Sequence, residues 1–283
     1  MATKKAEPAA EPAKKETKKK TQTVQYTTQS GKKVEHTITH VEAQSSSPSE
    51  LQHITKGNAT PFRILAIVLW ILALGFEVVA ILLFMKKISI INALPNVWQA
   101  VIALGLDLIC LIVGSQMWKK ANHMDPASEK NKLKFWLQNN LGVIVAAVAF
   151  IPFIIIALTD KNASKQDKTI ATIAAAIALA VGVLTGIDYN PVSQEQLQEA
   201  ADTIKEDVFW TAGGTVYHTH DDCGHLANSG NLFTGSVTAA VEAGKVRLCK
   251  SCAHRDGIEN VVTDNAADVE NLERVDEQPN AAD

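Results

Sequence analysis

The sequence predicts an α-helical integral membrane protein of four transmembrane helices, followed by a small α+β module, with disordered termini. Two observations predict this fold class. The apolar residues of the 283-residue chain are concentrated in its middle and both ends are polar, although the formal net charge is only -3. Three of the four cysteines lie together in residues 207–255. The average composition therefore conceals an apolar middle, polar ends and a cysteine-containing segment, which differ in kind.

Four apolar runs are close to the length of about 20 residues that a helix needs to cross a bilayer. They are residues 62–85, 98–118, 141–158 and 170–187. In the second run, Trp98 and Trp118 stand about 30 Å apart along a helix, as expected of tryptophans at two membrane interfaces. We therefore predict a transmembrane domain over residues 61–188 rather than four buried helices of a soluble domain.

The positions of lysine and arginine predict the topology of these spans. With the N-terminus inside, seven basic residues flank the spans on the inner side and five on the outer side, a modest excess of the kind found in cytoplasmic loops. An even number of spans then places both termini in the cytoplasm, in a multi-pass protein of the cell membrane. Because the first run begins about sixty residues into the chain, we expect that run, and not a cleavable signal peptide, to direct membrane insertion.

Two acidic residues interrupt the apolar runs, Glu77 in ALGFEVVAI and Asp107 in ALGLDLICL. Both lie about 12 to 14 Å from the outer ends of their spans at the helical rise of 1.5 Å, so they can meet in an antiparallel pair. Ionised carboxylates are costly at this depth, and two in contact cannot both ionise cheaply. The pair predicts either hydrogen-bonded carboxyls that hold two helices together or a relay for protons or cations.

Small residues recur every four positions in the fourth run: Ala174, Ala178, Gly182 and Gly186. Such a stripe lets two helix backbones approach closely. It predicts tight packing either against a neighbouring helix or, in a homo-oligomer, against a second subunit. The alternative interpretation is a generic alanine-rich helix.

The segment between the second and third runs predicts a short helix at the membrane interface. Asp125 is the expected N-cap, with Pro126 in the first helical position. Apolar side chains then follow at helical spacing: Leu133, Trp136, Leu137 and Leu141. One apolar face on a short polar helix is typical of a helix that lies in the interface.

Both ends of the chain are predicted to be disordered because they hold too few apolar residues to offset the entropy of ordering. Residues 1–60 carry ten lysines against six glutamates, and residues 256–283 form an acidic tail. Within the N-terminal part, residues 24–41 alternate polar and apolar residues around Ser30-Gly31, a weak signal for a β-hairpin. An isolated hairpin is marginal in water, so we expect it to need a partner.

Residues 189–206 and 207–255 are predicted to be a linker helix and an α+β module. In the linker, Ser193 and Gln196 have the spacing of a capping box at the start of a helix. The elements expected in the module are two strands, residues 209–211 and 215–217, a turn at Gly213-Gly214, and a helix, residues 236–243, that ends at Gly244.

Three cysteines of the module, Cys223, Cys249 and Cys252, predict a metal site. Cys249-x-x-Cys252 has the spacing at which two thiolates bind one ion, and a tetrahedral zinc needs two further ligands. We expect Cys223 as the third ligand and His218 as the fourth. Other candidates for the fourth ligand are His220, His225 and His254. Because about fifty residues are too few for a solid hydrophobic core, we expect the zinc to be structural, and an odd number of cytoplasmic thiols argues against disulfides.

The run WTAGGTVYHTHDDCGHL, the helix that follows it and the run RLCKSC together resemble the metal-binding domain of the Ada DNA-repair protein. The resemblance implies His218, Cys223, Cys249 and Cys252 as zinc ligands. In the repair protein all four ligands are cysteines and the first accepts a methyl group. Here His218 stands at that place, which argues against alkyl transfer.

The membrane part also carries a resemblance, in LWILALGFE, DPASEKNKLKFWLQNNLG and IDYNPVS. These runs are similar to a family of uncharacterised bacterial four-span membrane proteins that ends in the same zinc-binding module. The likeness covers roughly residues 60–255. It implies an architecture and no particular activity.

The sequence favours a protein that is not an enzyme. No nucleophile–base pair, phosphate-binding loop or HExxH helix is recognisable. We expect the zinc module to bind an unknown protein partner or to sense a signal. The alternative is a small proton or cation transporter that uses Glu77 and Asp107, with the module as a gate. Residues 207–255 carry four basic and four acidic residues, too little positive charge for a nucleic-acid partner.

Overall fold

The structure, a computed structural model, describes residues 20–27 and 33–264. Its helices are α1 (Pro48–Phe84), α2 (Asn96–Met124), α3 (Lys132–Asn139), α4 (Leu141–Thr159), α5 (Lys165–Gly186), α6 (Gln194–Thr203), α7 (Val237–Glu242) and α8 (Lys250–Asp256). Its strands are β1 (Lys20–Thr27), β2 (Lys33–His40), β3 (Val208–Trp210), β4 (Val216–Tyr217), β5 (Asn231–Gly235) and β6 (Arg247–Leu248). By length and composition, α1, α2, α4 and α5 are long and apolar enough to cross a membrane. Each covers its predicted run to within one residue.

Helix α1 begins well before its apolar run. Ser47 is the N-cap, and its hydroxyl accepts a hydrogen bond from the backbone N–H of Glu50, while Pro48 opens the helix. Thr55 and Ala59 are buried in these first turns. The prediction of disorder over residues 1–60 is therefore wrong for residues 48–60, because this part of α1 packs against the module and gains the burial that the sequence alone did not reveal.

The four long helices form a bundle in which α1 packs on α2 and α4 packs on α5. Alanines dominate its interior and let the helix backbones approach: Ala73, Ala80, Ala100, Ala146, Ala149, Ala157, Ala171 and Ala175. The rings of Phe84 and Phe153 meet edge to face at 5.7 Å. Large apolar residues also cover the outside of the bundle, among them Ile71, Ile109 and Ile177. Helices that are apolar on both sides suit a hydrocarbon surrounding.

The small-residue stripe of α5 packs inside this chain. Ala178, Gly182 and Gly186 are buried, and Ala174 is partly buried. A Cβ atom added to Gly186 would lie 2.9 Å from the backbone nitrogen of Val143 in α4. The stripe therefore provides the contact with a neighbouring helix, and a homo-oligomer would need another face of the bundle.

The N-terminal segment completes the sheet of the C-terminal module. In the order β1-β2-β5-β3, β1 and β2 are antiparallel, β2 and β5 are parallel, and β5 and β3 are antiparallel. The weak hairpin signal over residues 24–41 falls on this strand pair, and β2 pairs in turn with β5. The turn at Ser30-Gly31 lies outside the described residues, as do residues 1–19. Disorder is again the wrong prediction for the two strands, because the pairing with β5 is not local.

The short strands of the module pair differently from the predicted hairpin. Phe209 and His218 form one antiparallel bridge, but β3 pairs mainly with β5, and β4 pairs with β6 in parallel. The predicted helix over residues 236–243 is present as α7, and Gly244 follows it with a φ of 77°. A turn is therefore present between β3 and β4, while the longer pairings come from strands that the sequence did not signal.

The chain stays packed beyond residue 256. Val261 is buried, and the backbone N–H of Asp264 donates to the carbonyl of Leu248 at 3.2 Å. The acidic tail predicted from residue 256 therefore begins too early, because the segment up to Asp264 adds to the β4–β6 sheet. The rest of the tail lies outside the described residues.

Helix α3, which was predicted to lie at the membrane interface, begins later than expected. Asp125 ends α2, and its carboxylate accepts a hydrogen bond from Arg63 at 2.7 Å, so it is not free to cap a helix. The N-cap of α3 is Asn131, whose side chain accepts from the backbone N–H of Lys134. On α3, Leu133 and Trp136 are exposed, as expected for a helix that lies in an interface. In the linker, α6 begins with the predicted capping box of Ser193 and Gln196.

Candidate metal centre

Four side chains of the module, His218, Cys223, Cys249 and Cys252, lie close enough together to bind one metal ion. All are buried, and one ligand atom from each lies within 4.8 Å of the others. The sulfurs of Cys223 and Cys249 are 4.0 Å apart, and the sulfur of Cys252 is 3.8 Å from Nδ1 of His218. Two sulfurs on a tetrahedral zinc are about 3.8 Å apart when each bond is about 2.3 Å. The cluster therefore has the dimensions of a tetrahedral site.

Strand pairing brings distant parts of the sequence to this cluster. The parallel pair β4–β6 places Tyr217 opposite Leu248, so the residues that follow, His218 and Cys249, lie side by side. The backbone N–H of Cys249 donates to the carbonyl of Tyr217 at 2.8 Å. Cys252 follows in the first turn of α8. Two ligands thus come from the end of β6 and the start of α8, and one from the end of β4.

The loop after β4 supplies the remaining ligand. Cys223 precedes a 3-10 turn, Gly224–Leu226, and its carbonyl accepts from the backbone N–H of Leu226 at 2.8 Å. The loop is tied to α8 by Thr219 and His220, which contact the two carboxylate oxygens of Asp256 at 2.5 Å. These contacts hold Cys223 against the α8 cysteines.

The other candidate histidines have different surroundings. Nε2 of His220 contacts the carboxylate of Asp256, and Nε2 of His225 lies 3.2 Å from the hydroxyl of Ser251. His254 is exposed on α8. Of the four histidines considered from the sequence, His218 is the one that the fold places among the cysteines.

Hydrogen bonds among the thiols of the cluster shift the pKa values of two of them in opposite directions. Those with Cys249 and Cys252 raise the pKa of the Cys223 thiol well above its usual range, although the backbone N–H of His225 opposes this effect. Hydrogen bonds from Cys223 and Cys249 hold the pKa of Cys252 well below its usual range. A metal ion bound by these side chains would displace the protons that the thiols carry.

Comparisons of the chain with protein-family models, with curated proteins and with solved structures found no match. The resemblances to the Ada metal-binding domain and to bacterial four-span proteins therefore rest on the quoted residues alone. The chain has four apolar helices and a Cys/His cluster that could bind a metal.

The two acidic residues of the apolar runs meet inside the bundle. Glu77 in α1 is 4% exposed and Asp107 in α2 is fully buried, and the two carboxyls interact with each other. Among the described residues, no N–H or hydroxyl group donates a hydrogen bond of ordinary geometry to any of their four oxygens. The hydrogen bond that remains open to them is one between the two carboxyls, which requires a proton on one of the pair.

Sequence reasoning missed the residues that join the module to the bundle. Arg247 of β6 donates to the carbonyl of Asn190, and His123 at the end of α2 lies 2.8 Å from the carboxylate of Asp188. Single polar residues in loops carry no periodic signal, and their partners are distant in sequence. The sequence signal in this region was a cluster of basic residues just after the second apolar run.

Proposed function

We propose that the protein is a non-enzymatic multi-pass protein of the cell membrane, with both termini in the cytoplasm, whose α+β module holds a structural zinc and binds or senses a partner. The observation that carries the proposal is the buried cluster of one imidazole and three thiols. The module that holds this cluster contacts the ends of the bundle helices. A site with four protein ligands has no open coordination position, which favours a structural ion over a catalytic one.

Ligand chemistry supports zinc as the ion. Three thiolates and one imidazole form one of the usual ligand sets of structural zinc. The d electrons of zinc set no geometric preference, so the ion accepts the arrangement of ligands that the protein provides. Calcium and magnesium prefer oxygen ligands, and no oxygen belongs to this set. The burial of all four ligands also supports an ion that stays bound.

The attachment of the module to the bundle supports a sensing role. Glu242 of α7 accepts a hydrogen bond from the backbone N–H of Ser45 at 2.7 Å, just before α1. In α1 itself, the side chain of Asn58 donates to the Glu242 carbonyl at 3.2 Å. On the other side, Arg247 contacts the segment after α5 through Asn190. A metal that orders the module would therefore fix the ends of two membrane helices.

Metal analysis of the purified full-length protein tests the zinc. We expect about one zinc per chain, and loss of that zinc in the double variant Cys249→Ala/Cys252→Ala. The matched control is Cys110→Ala, because Cys110 is the cysteine of α2 and lies outside the cluster. A wild-type protein without zinc, or a double variant that keeps both its zinc and its melting temperature, would contradict the structural role.

The buried carboxyl pair favours a second candidate, a small transporter of protons or cations. Carboxyls inside a bundle often mark ion pathways, and the Glu77–Asp107 pair could hold either a proton or a cation. The test is flux of protons or divalent cations into proteoliposomes. Flux that is lost in Glu77→Gln would favour transport, and absence of flux in the wild type would exclude it.

A further inference from the structure

A cleft opens where the end of α2 and the segment after α5 meet the module. Its volume is about 710 Å3, within the usual range for binding sites of small molecules. Its walls are the last turns of α2, residues 187–190, the glycine-rich turn 212–215 and residues 243–247. The cleft is separate from the metal cluster.

Positive charge dominates this cleft. Its cationic side chains are Lys119, Lys120, Lys245 and Arg247. Asp188 is the one carboxylate among the lining residues, which all lie in the part of the chain that the structure describes. Its Oδ2 atom is already engaged by Nε2 of His123 at 2.8 Å. Four cations against one carboxylate leave an excess of three positive charges that the lining does not neutralise.

Neutral groups hold these cations in place. Lys245 is only 6% exposed, and its ammonium donates to the carbonyls of Ala212, at 3.0 Å, and Gly214. The ammonium of Lys119 donates to the carbonyl of Thr185 at 2.8 Å. Carbonyl groups orient an ammonium group without cancelling its charge, so the positive potential of the cleft is kept.

The single carboxylate of the lining, that of Asp188, compensates the four cations only in part. Burial lowers the pKa of Lys245, and the like charge of Lys120 lowers it further. The buried Nε of Arg247 meets no hydrogen-bond acceptor among the described residues. A bound anion would relieve both the repulsion and the unsatisfied donor.

The cleft lies at the level where the apolar surface of the bundle ends. Leu184 in the last turn of α5 is 60% exposed, and Tyr189 on the cleft wall is 69% exposed. Exposed tyrosine next to exposed leucine is typical of the headgroup boundary of a bilayer. An anionic headgroup would therefore reach the cleft from the side.

We infer that this cleft binds an anionic phosphate group, presented either by a phospholipid headgroup or by a soluble phosphate compound. Lysine and arginine are the side chains that bind phosphate oxygens, and basic pockets at the ends of membrane helices take anionic headgroups. The site and its ligand are distinct from the metal centre, so the inference goes beyond the proposed function and does not depend on the identity of the metal.

The two sources of phosphate can be separated with full-length protein in a neutral detergent. One series is titrated with short-chain phosphatidic acid, the other with pyrophosphate, and the melting temperature is followed at low salt. A ligand that binds the folded state raises the melting temperature once its concentration exceeds Kd. A saturable rise with phosphatidic acid alone assigns the cleft to a lipid. A rise with pyrophosphate at equal or lower concentration assigns it to a soluble compound.

Lysine variants test whether the binding is in the cleft. Lys120 is exposed, with its ammonium over the ring of Phe62 at 4.5 Å, so Lys120→Gln should fold. We expect it to weaken binding about fivefold, and Lys119→Gln/Lys120→Gln about twenty-fivefold. The control is Lys168→Gln. Like Lys119, Lys168 donates to a carbonyl at the end of a helix, that of Leu158 at 3.3 Å, but it lies at the other end of the bundle.

Two results would overturn the inference. One is the lack of a saturable shift with either ligand at low salt. The other is a loss of affinity in Lys168→Gln as large as that in Lys120→Gln, which would indicate general charge attraction rather than a site. If the double variant does not fold, the single variant Lys120→Gln decides the question alone.

Discussion

At the residue scale, two buried carboxyls, those of Glu77 and Asp107, face each other between α1 and α2. Asp107→Leu would leave the Glu77 carboxyl buried without a partner, so we expect a loss of about 1–3 kcal/mol in stability. Asp107→Asn keeps both a donor and an acceptor and should be nearly silent. Thermal unfolding of both variants in mild detergent measures the difference, and equal losses would show that the pair does not contribute a hydrogen bond.

A second residue, Asp188, links α5 to α2 through His123. Burial alone raises the pKa of this carboxyl. The hydrogen bond and the charge of His123, with the backbone N–H of Asn190 and the charge of Arg247, outweigh burial and keep the pKa below its usual value. The resulting stability is therefore present above the unfolded pKa, near 4, and is lost as the pH falls through the lower folded pKa.

Asp188→Asn should accordingly cost about 1.5–3 kcal/mol near neutral pH, and the difference from the wild type should shrink below about pH 4. Melting temperatures across this pH range provide the measurement. Asp202→Asn is the control, because the Asp202 side chain is 73% exposed and its replacement should change little. A loss in Asp188→Asn that does not depend on pH would speak against the charge interaction.

At the element scale, α4 and α5 approach each other closely at Gly186. A Cβ atom there would lie 2.9 Å from the nitrogen of Val143 and 3.0 Å from the carbonyl carbon of Gly142. Backbone atoms cannot yield as a flexible side chain can, so Gly186→Ala should push the helices apart and cost about 1–3 kcal/mol.

Gly75→Ala is the matched control for this helix contact, since a Cβ at Gly75 would meet nothing within 4 Å. Both variants add one methyl group to a long apolar helix. Unfolding followed by circular dichroism in detergent should therefore separate them, with Gly75→Ala at least as stable as the wild type. Equal stability of the two variants would contradict the close approach of α4 and α5.

The start of a helix also shows what local sequence can predict. The capping box at Ser193 and Gln196 was predicted and is present, because it depends on residues three apart. The predicted cap at Asp125 was wrong because that carboxylate binds Arg63, which is distant in sequence. Side chains that can cap a helix can equally serve a long-range contact, and the sequence does not say which occurs.

At the scale of the whole molecule, β1 and β2 belong to the module that carries the Cys/His cluster. The backbone N–H of Thr37 donates to the carbonyl of Gly230 at 2.9 Å, and that of Val41 to the carbonyl of Thr234 at 2.7 Å. Ile38 is buried in the core of the module. Residues on both sides of the four long helices thus contribute to one sheet, and those helices lie between them in sequence.

Deletion of residues 1–43 should therefore loosen the module without touching a metal ligand. The exposed edge of β5 and the lost burial of Ile38 should lower the stability of the module, and a competing chelator should remove the metal faster. The control is deletion of residues 1–19, which leaves β1 and β2 intact. Equal rates of metal loss in the two truncated proteins would show that the strands do not support the site.

The sequence by itself determined the four long apolar helices, since length and composition are local properties, and it singled out His218 and the three cysteines as candidate ligands. Tertiary structure alone placed those four side chains within reach of one ion, joined β2 to β5, directed the α5 stripe towards α4 and α2, and gathered Lys119, Lys120, Lys245 and Arg247 around one cleft. Each of these depends on contacts between residues far apart in the chain, and periodicity and spacing report only on near neighbours.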